Sequence, residues 1–358
     1  MSVSAHGGSP KPEDPPRAPR RRLLIRVLLA AAAAAVLLVG GMTGLFLERQ
    51  RAYDRNIQRV PGAFPAEPDR PARAPGRAEN WLLVGSDRRA AQATTGLDAN
   101  ESLWRYGAQR ADTIILVHLP ADRGRVYLVS FPRDAWVPIQ GHGNAKLNAA
   151  FSFGGPPLLI ATIERLTGVR VDHFAILDFE GFRSMTDALG GVNVRVARTV
   201  SDPARKVVWP AGTHHLDGAR ALDFVRQRHN LPGGDLGRIK RQQAFLKALA
   251  GQVVDRGTLA NPLKLNAFLE ASTKAVSVDE SLTISRLRSL ALQFRSVRAG
   301  DLDFLTAPVA GMGTESRQSV VYLDRVKGQP LYRALRTDAV AGYLAGAGGS
   351  VNEVDEVH

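Results

Sequence analysis

The rhythm of apolar and polar positions changes several times along the chain. Val27 to Leu47 are 21 residues without a charge, mostly Leu, Val and Ala. That is long enough to cross a bilayer as one helix, so residues 23–47 are expected to be a membrane anchor. Downstream, three short apolar runs, Trp81–Gly85, Thr113–Leu119 and Val126–Phe131, predict strands. A polar stretch from Ala90 to Gln109 parts the first two, and the turn-rich Pro120–Gly124 parts the last two. Links this short favour antiparallel pairing. Helical spacing then predicts helices at Pro156–Thr167, Phe182–Leu189, Leu236–Val254, Leu263–Lys274, Leu282–Phe294 and Pro330–Leu335, with strands at His173–Leu177 and Val192–Val196. Strands interleaved with helices imply an α/β fold: a mixed, largely antiparallel central sheet flanked by helices, preceded by one transmembrane helix.

The flanking segments set the remaining boundaries. Residues 1–22, rich in Pro, Ser, Gly and Arg, cannot bury a core and are expected to be a disordered leader. Residues 48–78 carry Pro61, Pro65, Pro68, Pro71 and Pro75 among Arg and Ala, and are expected to form a semi-extended stalk. A folded domain is expected over 79–345 and a flexible tail over 346–358. Lys11, Arg17, Arg20, Arg21, Arg22 and Arg26 precede the apolar span; Arg49, Arg51, Arg55 and Arg59 follow it. This asymmetry places the N-terminus in the cytoplasm and the domain outside.

A net charge of +13 raises the question of a nucleic-acid partner. Residues 1–78 hold 13 Lys and Arg against 6 Asp and Glu, so +7 of the +13 lies ahead of the domain. No helix-turn-helix pattern stands out and the topology sends the domain away from the cytoplasm, so no nucleic-acid partner is expected. The absence of cysteine removes thiolate catalysis and Cys-based zinc sites.

Antiparallel pairing of the three strands has a chemical consequence. The end of the first, the start of the second and the end of the third share one edge, which would gather Asp87, Asp112 and Arg133. A second constellation spans Arg226, Arg228, Asp235, Arg238 and Gln242. If Arg226 and Arg228 are extended, they point to one face; Arg238 and Gln242, four apart, share a helix face. Converging guanidinium groups either meet an anionic partner, for which phosphate oxygens are well matched, or pair with Asp202, Asp217, Asp223 or Asp235. Spacing leaves both open.

At this point the sequence resembles the LytR-CpsA-Psr family over most of residues 80–340. The motifs are Leu82-Leu-Val-Gly-Ser-Asp87, Arg110-Ala-Asp112-Thr-Ile, Ser130-Phe-Pro-Arg133-Asp134, Lys146-Leu-Asn148-Ala, Ala188-Leu-Gly-Gly-Val192 and the stretch from Arg226 to Gln242. The resemblance implies a phosphotransferase that moves a phosphate-linked glycopolymer from a polyprenyl pyrophosphate carrier to a peptidoglycan sugar hydroxyl. It implies Asp87 and Asp112 as carboxylates for Mg2+, and Arg110, Arg133, Arg226, Arg228 and Arg238 with Gln242 as the pyrophosphate clamp. Asp235 is the candidate for taking up the acceptor proton, and Lys146 and Asn148 are candidates for substrate contact. Magnesium prefers oxygen ligands and is often held by one or two carboxylates plus substrate phosphates, so two aspartates suffice. A hydrolase acting on the carrier would use the same residues, a non-catalytic lipid binder would not need them, and a membrane-tethered transcription regulator would need the opposite topology.

Overall fold

In the computed structural model of the protein the described residues are 48, 51–86, 110–254, 261–293, 296–346 and 350–358. The strands in chain order are β1 (Gln58–Val60), β2 (Glu79–Ser86), β3 (Ala111–Leu119), β4 (Val126–Phe131), β5 (Trp136–Ile139), β6 (Gly143–Lys146), β7 (His173–Leu177), β8 (Val192–Val196), β9 (Val200–Asp202), β10 (Val207–Trp209), β11 (Gly212–Leu216), β12 (Val276–Asp279), β13 (Leu302–Thr306), β14 (Val309–Glu315) and β15 (Gln318–Leu323). The helices are α1 (Leu147–Thr167), α2 (Phe179–Ala188), α3 (Gly218–Arg226), α4 (Asp235–Val254), α5 (Pro262–Ala275), α6 (Ile284–Gln293), α7 (Arg325–Arg336) and α8 (Val340–Ala345).

A seven-stranded sheet in the order β1-β12-β7-β2-β3-β4-β13 forms the centre. The three apolar runs pair antiparallel as expected, β2 with β3 and β3 with β4. The expectation of a largely antiparallel sheet is corrected, because β1–β12, β2–β7 and β4–β13 are parallel, three of the six pairings. The parallel partners are far apart in the chain, with helices and other strands between them, as parallel pairing requires a long crossover. Side chains on β2 and β3 alternate between two cores. Leu82, Val84, Ile114 and Leu116 pack with α1 and α7, while Ile115 and Val117 face Phe224 of α3 and Phe245 of α4. Covered on both faces, these strands read as unbroken apolar runs rather than as an alternation.

Helix boundaries moved where capping outweighed apolar spacing. The Asp178 carboxylate accepts from the Gly181 N–H at 2.9 Å and starts α2 at Phe179. Asp324 caps α7 through the Lys327 N–H, so Pro330 lies inside the helix rather than opening it. The expected start at Pro156 survives as a break within α1, where Gly155 has φ +63. Helix α3 was not anticipated.

Both flanking expectations are corrected. Residues 53–78 of the expected stalk are part of the compact unit Tyr53–His358: β1 pairs with β12, Val60 and Ala63 enter the core, and Arg70 meets Glu164 at 2.7 Å. The paired residues Gln58–Val60 precede the first of the prolines, so each can take part in the sheet-edge pairing. The tail is docked too. Val354 and Val357 are buried, and the Ala197 N–H donates to the Val357 carbonyl at 2.8 Å. Among the described residues no helix is long and apolar enough to cross a membrane. The expected leader 1–22, the span 23–47 and the Ala90–Gln109 insertion lie outside the described residues.

Candidate active site

The shared sheet edge forms because Ser86 at the end of β2 pairs with Ala111 at the start of β3. Asp112 follows directly. After β4 the chain turns at Pro132, whose carbonyl accepts from the Ala135 N–H at 3.0 Å, and this turn carries Arg133 back onto the Asp112 carboxylate, with which it is ion-paired. Two of the three expected partners therefore meet. Asp87 lies outside the described residues, one position beyond Ser86.

The second constellation is built differently from the spacing argument. Arg226 closes α3, so it and Arg228 are not strand mates. Gln227 between them is fully buried and donates to the Ser201 and His229 carbonyls. The Arg226 guanidinium lies 4.2 Å from the centre of the Phe179 ring. Gly233 and Gly234, with φ of +69 and +53, make a turn that a side chain would strain; it delivers the chain into α4. There Asp235 meets Arg238 at 2.5 Å and Arg228 at 3.3 Å.

Asp134 joins the two halves, and the sequence reading had passed over it although it stands inside a quoted motif. Its carboxylate takes Lys146 at 3.0 Å and Arg228 at 2.8 Å, with Arg133 at 3.8 Å. Burial pushes this carboxyl up, but the Lys146 hydrogen bond and the charges of Arg133 and Arg228 more than offset it and leave it below its ordinary value. Burial, reinforced by neighbouring Arg238 and Arg228, brings Arg133 down to about 10. Burial likewise lowers Arg238. The Nε atoms of both arginines are buried without a hydrogen-bond partner among the described residues.

These groups border a cavity of about 490 Å3. Arg110, Asp112, Arg133, Arg226, Arg228, Arg238 and Gln242 line its polar part, and Arg238 and Gln242 share a helix face as expected. The remainder is apolar, walled among others by Ile115, Ile176, Phe182, Leu222, Phe245 and Leu249. Phe179 and Phe182 stand on the cavity lining, whereas Phe174 lies in the core. Composition cannot separate a cavity wall from a core. Arg205, also missed, reaches the cavity while paired with Asp202 at 2.8 Å and Asp223 at 3.6 Å.

Three expected residues do not line it. Asp235 stands behind Arg228 and Arg238, Lys146 is spent on Asp134, and buried Asn148 donates its backbone N–H to the Arg133 carbonyl at 3.0 Å. Of the alternative pairings weighed for the arginines, Asp235 takes Arg228 and Arg238 and both Asp202 and Asp223 take Arg205, while Asp217 caps α3. Among the described residues six arginines line the cavity with Asp112 and Asp178; Asp134 and Asp235 stand behind, and Asp202 and Asp223 pair with Arg205. Guanidinium groups gathered on one wall suit the oxygens of a phosphate. Among the described residues no group of three or more His, Cys, Asp or Glu could hold a metal. Asp112, on the cavity lining beside Arg133, offers hard oxygen donors of the kind magnesium uses when phosphates complete its shell.

The LytR_cpsA_psr family model matches residues 58–331. The cell wall biosynthesis protein LcpA of Corynebacterium glutamicum is 36% identical over 279 residues, covering 69% of this chain and 53% of that protein, so the chain spans about half of that relative's length. Similar solved structures include the LytR-Csp2A-Psr enzyme from Actinomyces oris, with TM-score 0.60 and 22% identity over 79% of this chain and 96% of that one. Another is TagT bound to LI-WTA, with TM-score 0.58 and 24% identity over 77% and 99%. At these identities the structures speak for the fold.

Proposed function

This chain belongs to the LytR-CpsA-Psr family, and on that footing we propose that it is a membrane-anchored phosphotransferase that moves a phosphate-linked glycopolymer from a polyprenyl pyrophosphate carrier to a peptidoglycan sugar hydroxyl. The observation that carries the reading is the composition of the 490 Å3 cavity, arginine-rich at one part and aliphatic or aromatic through the rest. An amphiphile with a doubly charged head and a hydrocarbon tail satisfies both parts at once. LcpA and TagT bound to LI-WTA place similar chains in cell-wall chemistry.

In this reading Arg110, Arg133, Arg226, Arg228 and Arg238 hold the pyrophosphate, and Gln242 adds an amide. Asp134 and Asp235 orient Arg133, Arg228 and Arg238 from behind, so Asp235 acts by positioning rather than as the proton acceptor. The acceptor oxygen bonds to the phosphorus that carries the glycan, the bridging P–O bond breaks, and polyprenyl phosphate departs, its phosphate taking up the acceptor proton. Magnesium, held by Asp112 with Asp87 beyond the described residues, would neutralise charge on the phosphate oxygens. Positioning and charge neutralisation carry most of the catalysis in such transfers. The anchor at 23–47 would keep the domain outside the cytoplasm and beside its lipid donor.

The test supplies the full chain in detergent with a glycosylated polyprenyl pyrophosphate, magnesium and a peptidoglycan acceptor, and follows polyprenyl phosphate release and glycan on the acceptor. Arg133→Ala and Asp112→Ala should each lose on the order of 10³-fold in rate. Release into water without an acceptor product would make the chain a hydrolase, and unchanged rates in both variants would refute the site.

A further inference from the structure

A second cavity of about 310 Å3 lies between β5, the second half of α1 and the start of α7. It borders the core cluster that contains α1 and α7, whereas the aromatic walls of the first cavity belong to the other cluster. Pro138, Arg165, Asp324, Arg325, Gln329 and Tyr332 give it its chemistry.

Tyr332 is the telling residue. It is 3% exposed, stacks on Phe131 and lines this cavity. The ring lies back over Gly328, where a Cβ would come within 2.8 Å of the ring and 3.3 Å of the hydroxyl. The absent side chain is therefore what lets the hydroxyl reach toward the first turn of α7, where Asp324 and Arg325 stand. A tyrosine hydroxyl both donates and accepts, so on a cavity wall it can meet a polar ligand. Burial raises its pKa, so it remains a neutral donor.

The surrounding groups narrow the ligand. Arg325 and Gln329 are four apart on α7 and share a face; Arg165 faces them from α1, held by Gln140 at 2.9 Å. Asp324 is the one carboxylate on this wall, and it already caps the helix through the Lys327 N–H. Planar polar groups, a hydroxyl and apolar edges at Pro138 and Leu323 match a sugar ring, which offers hydroxyls at its rim and C–H bonds on its faces. Two guanidinium groups against one carboxylate favour a sugar with an acidic substituent.

The location connects the cavity to the chemistry. Val137, on its wall, is three residues beyond Asp134, at most roughly 11 Å along the chain. The opposite wall starts from the same residue, because the Val321 N–H donates to the Asp134 carbonyl at 2.9 Å and β15 runs on to Leu323. The geometry points to a subsite for the acceptor glycan strand, in which the Tyr332 hydroxyl, Gln329, Arg325 and Arg165 hold an acidic sugar unit beyond the one that reacts. This rests on the transferase reading for the identity of the strand.

The experiment measures binding of a soluble, undecorated peptidoglycan glycan fragment to the full chain in detergent by calorimetry, with no carrier lipid present. Tyr332→Phe removes only the hydroxyl, and Gln329→Ala changes an exposed position, so both should fold and melt like the parent. Each should weaken binding by about 5- to 10-fold, the loss of one useful hydrogen bond. Parent-like affinity in both variants, no binding by the parent, or displacement of the fragment by equimolar inorganic phosphate would overturn the proposal. A chain that binds the fragment as described but never releases polyprenyl phosphate would refute the transferase reading while leaving the glycan subsite standing.

Discussion

Replacing Asp134 by Asn keeps the shape of the side chain and removes the charge that joins the two halves of the site. In the parent that carboxylate is 12% exposed and meets Lys146 at 3.0 Å and Arg228 at 2.8 Å. At an effective dielectric near 20, opposite charges about 3 Å apart attract by roughly 5 kcal/mol before desolvation is subtracted. Removing one member of a buried pair costs about 3–5 kcal/mol. Arg228 is 40% exposed and can turn toward water, which reduces the expected loss to about 2 kcal/mol. For a domain of this size that corresponds to a melting temperature lower by about 5 °C. Differential scanning calorimetry at neutral pH would read it, and added inorganic pyrophosphate should raise the variant's melting temperature more than the parent's, since more positive charge is left uncompensated. The acid limb gives an independent check. Asp134 titrates below its ordinary value in the fold, so its contribution is fully present above the unfolded carboxyl pKa of about 4 and is lost as pH falls through the lower folded value. The parent should lose stability there and the variant should lose less. A variant melting within about 1 °C of the parent, with the same acid limb, would refute the claim that this carboxylate organises the clamp.

Two further expectations concern the frame around the site. A Cβ at Gly181 would lie 2.6 Å from the Ala275 Cβ and 2.8 Å from Leu177, so Gly181→Val should force α2 from α5 and cost about 1–3 kcal/mol; an unchanged urea midpoint would mean the helices do not approach so closely. His118 is fully buried between Asn80 and Asp338, and burial holds its pKa below the ordinary 6.5. The neutral ring is the folded form, so its stability contribution is present above pH 6.5 and is lost as pH falls toward the folded value. Urea titrations at stepped pH should show that fall in the parent and a smaller one in His118→Gln; equal slopes would remove His118 from the account.

What the sequence by itself determined were features written in neighbouring residues. The runs at Trp81–Gly85, Thr113–Leu119 and Val126–Phe131 specified strands, their short links specified antiparallel pairing, and that pairing was enough to bring Asp112 to Arg133. The i, i+4 spacing of Arg238 and Gln242 placed both on the cavity wall. The six motifs were legible as a family pattern for the same reason, since each is a contiguous string. Tertiary structure alone decided the rest. Asp134 and Arg228 are 94 positions apart, and no local pattern says which carboxylate a given arginine will find. Phe182 and Phe245 look like core residues by composition and differ from core only because the space beside them is empty. The proline-rich segment and the C-terminal residues read as loose chain, yet both dock, because an extended strand carries no periodic mark of the edge it will join. Local rules act through a few bonds of backbone and one face of a side chain; burial, charge pairing and cavities are properties of surfaces that meet only after the chain has folded.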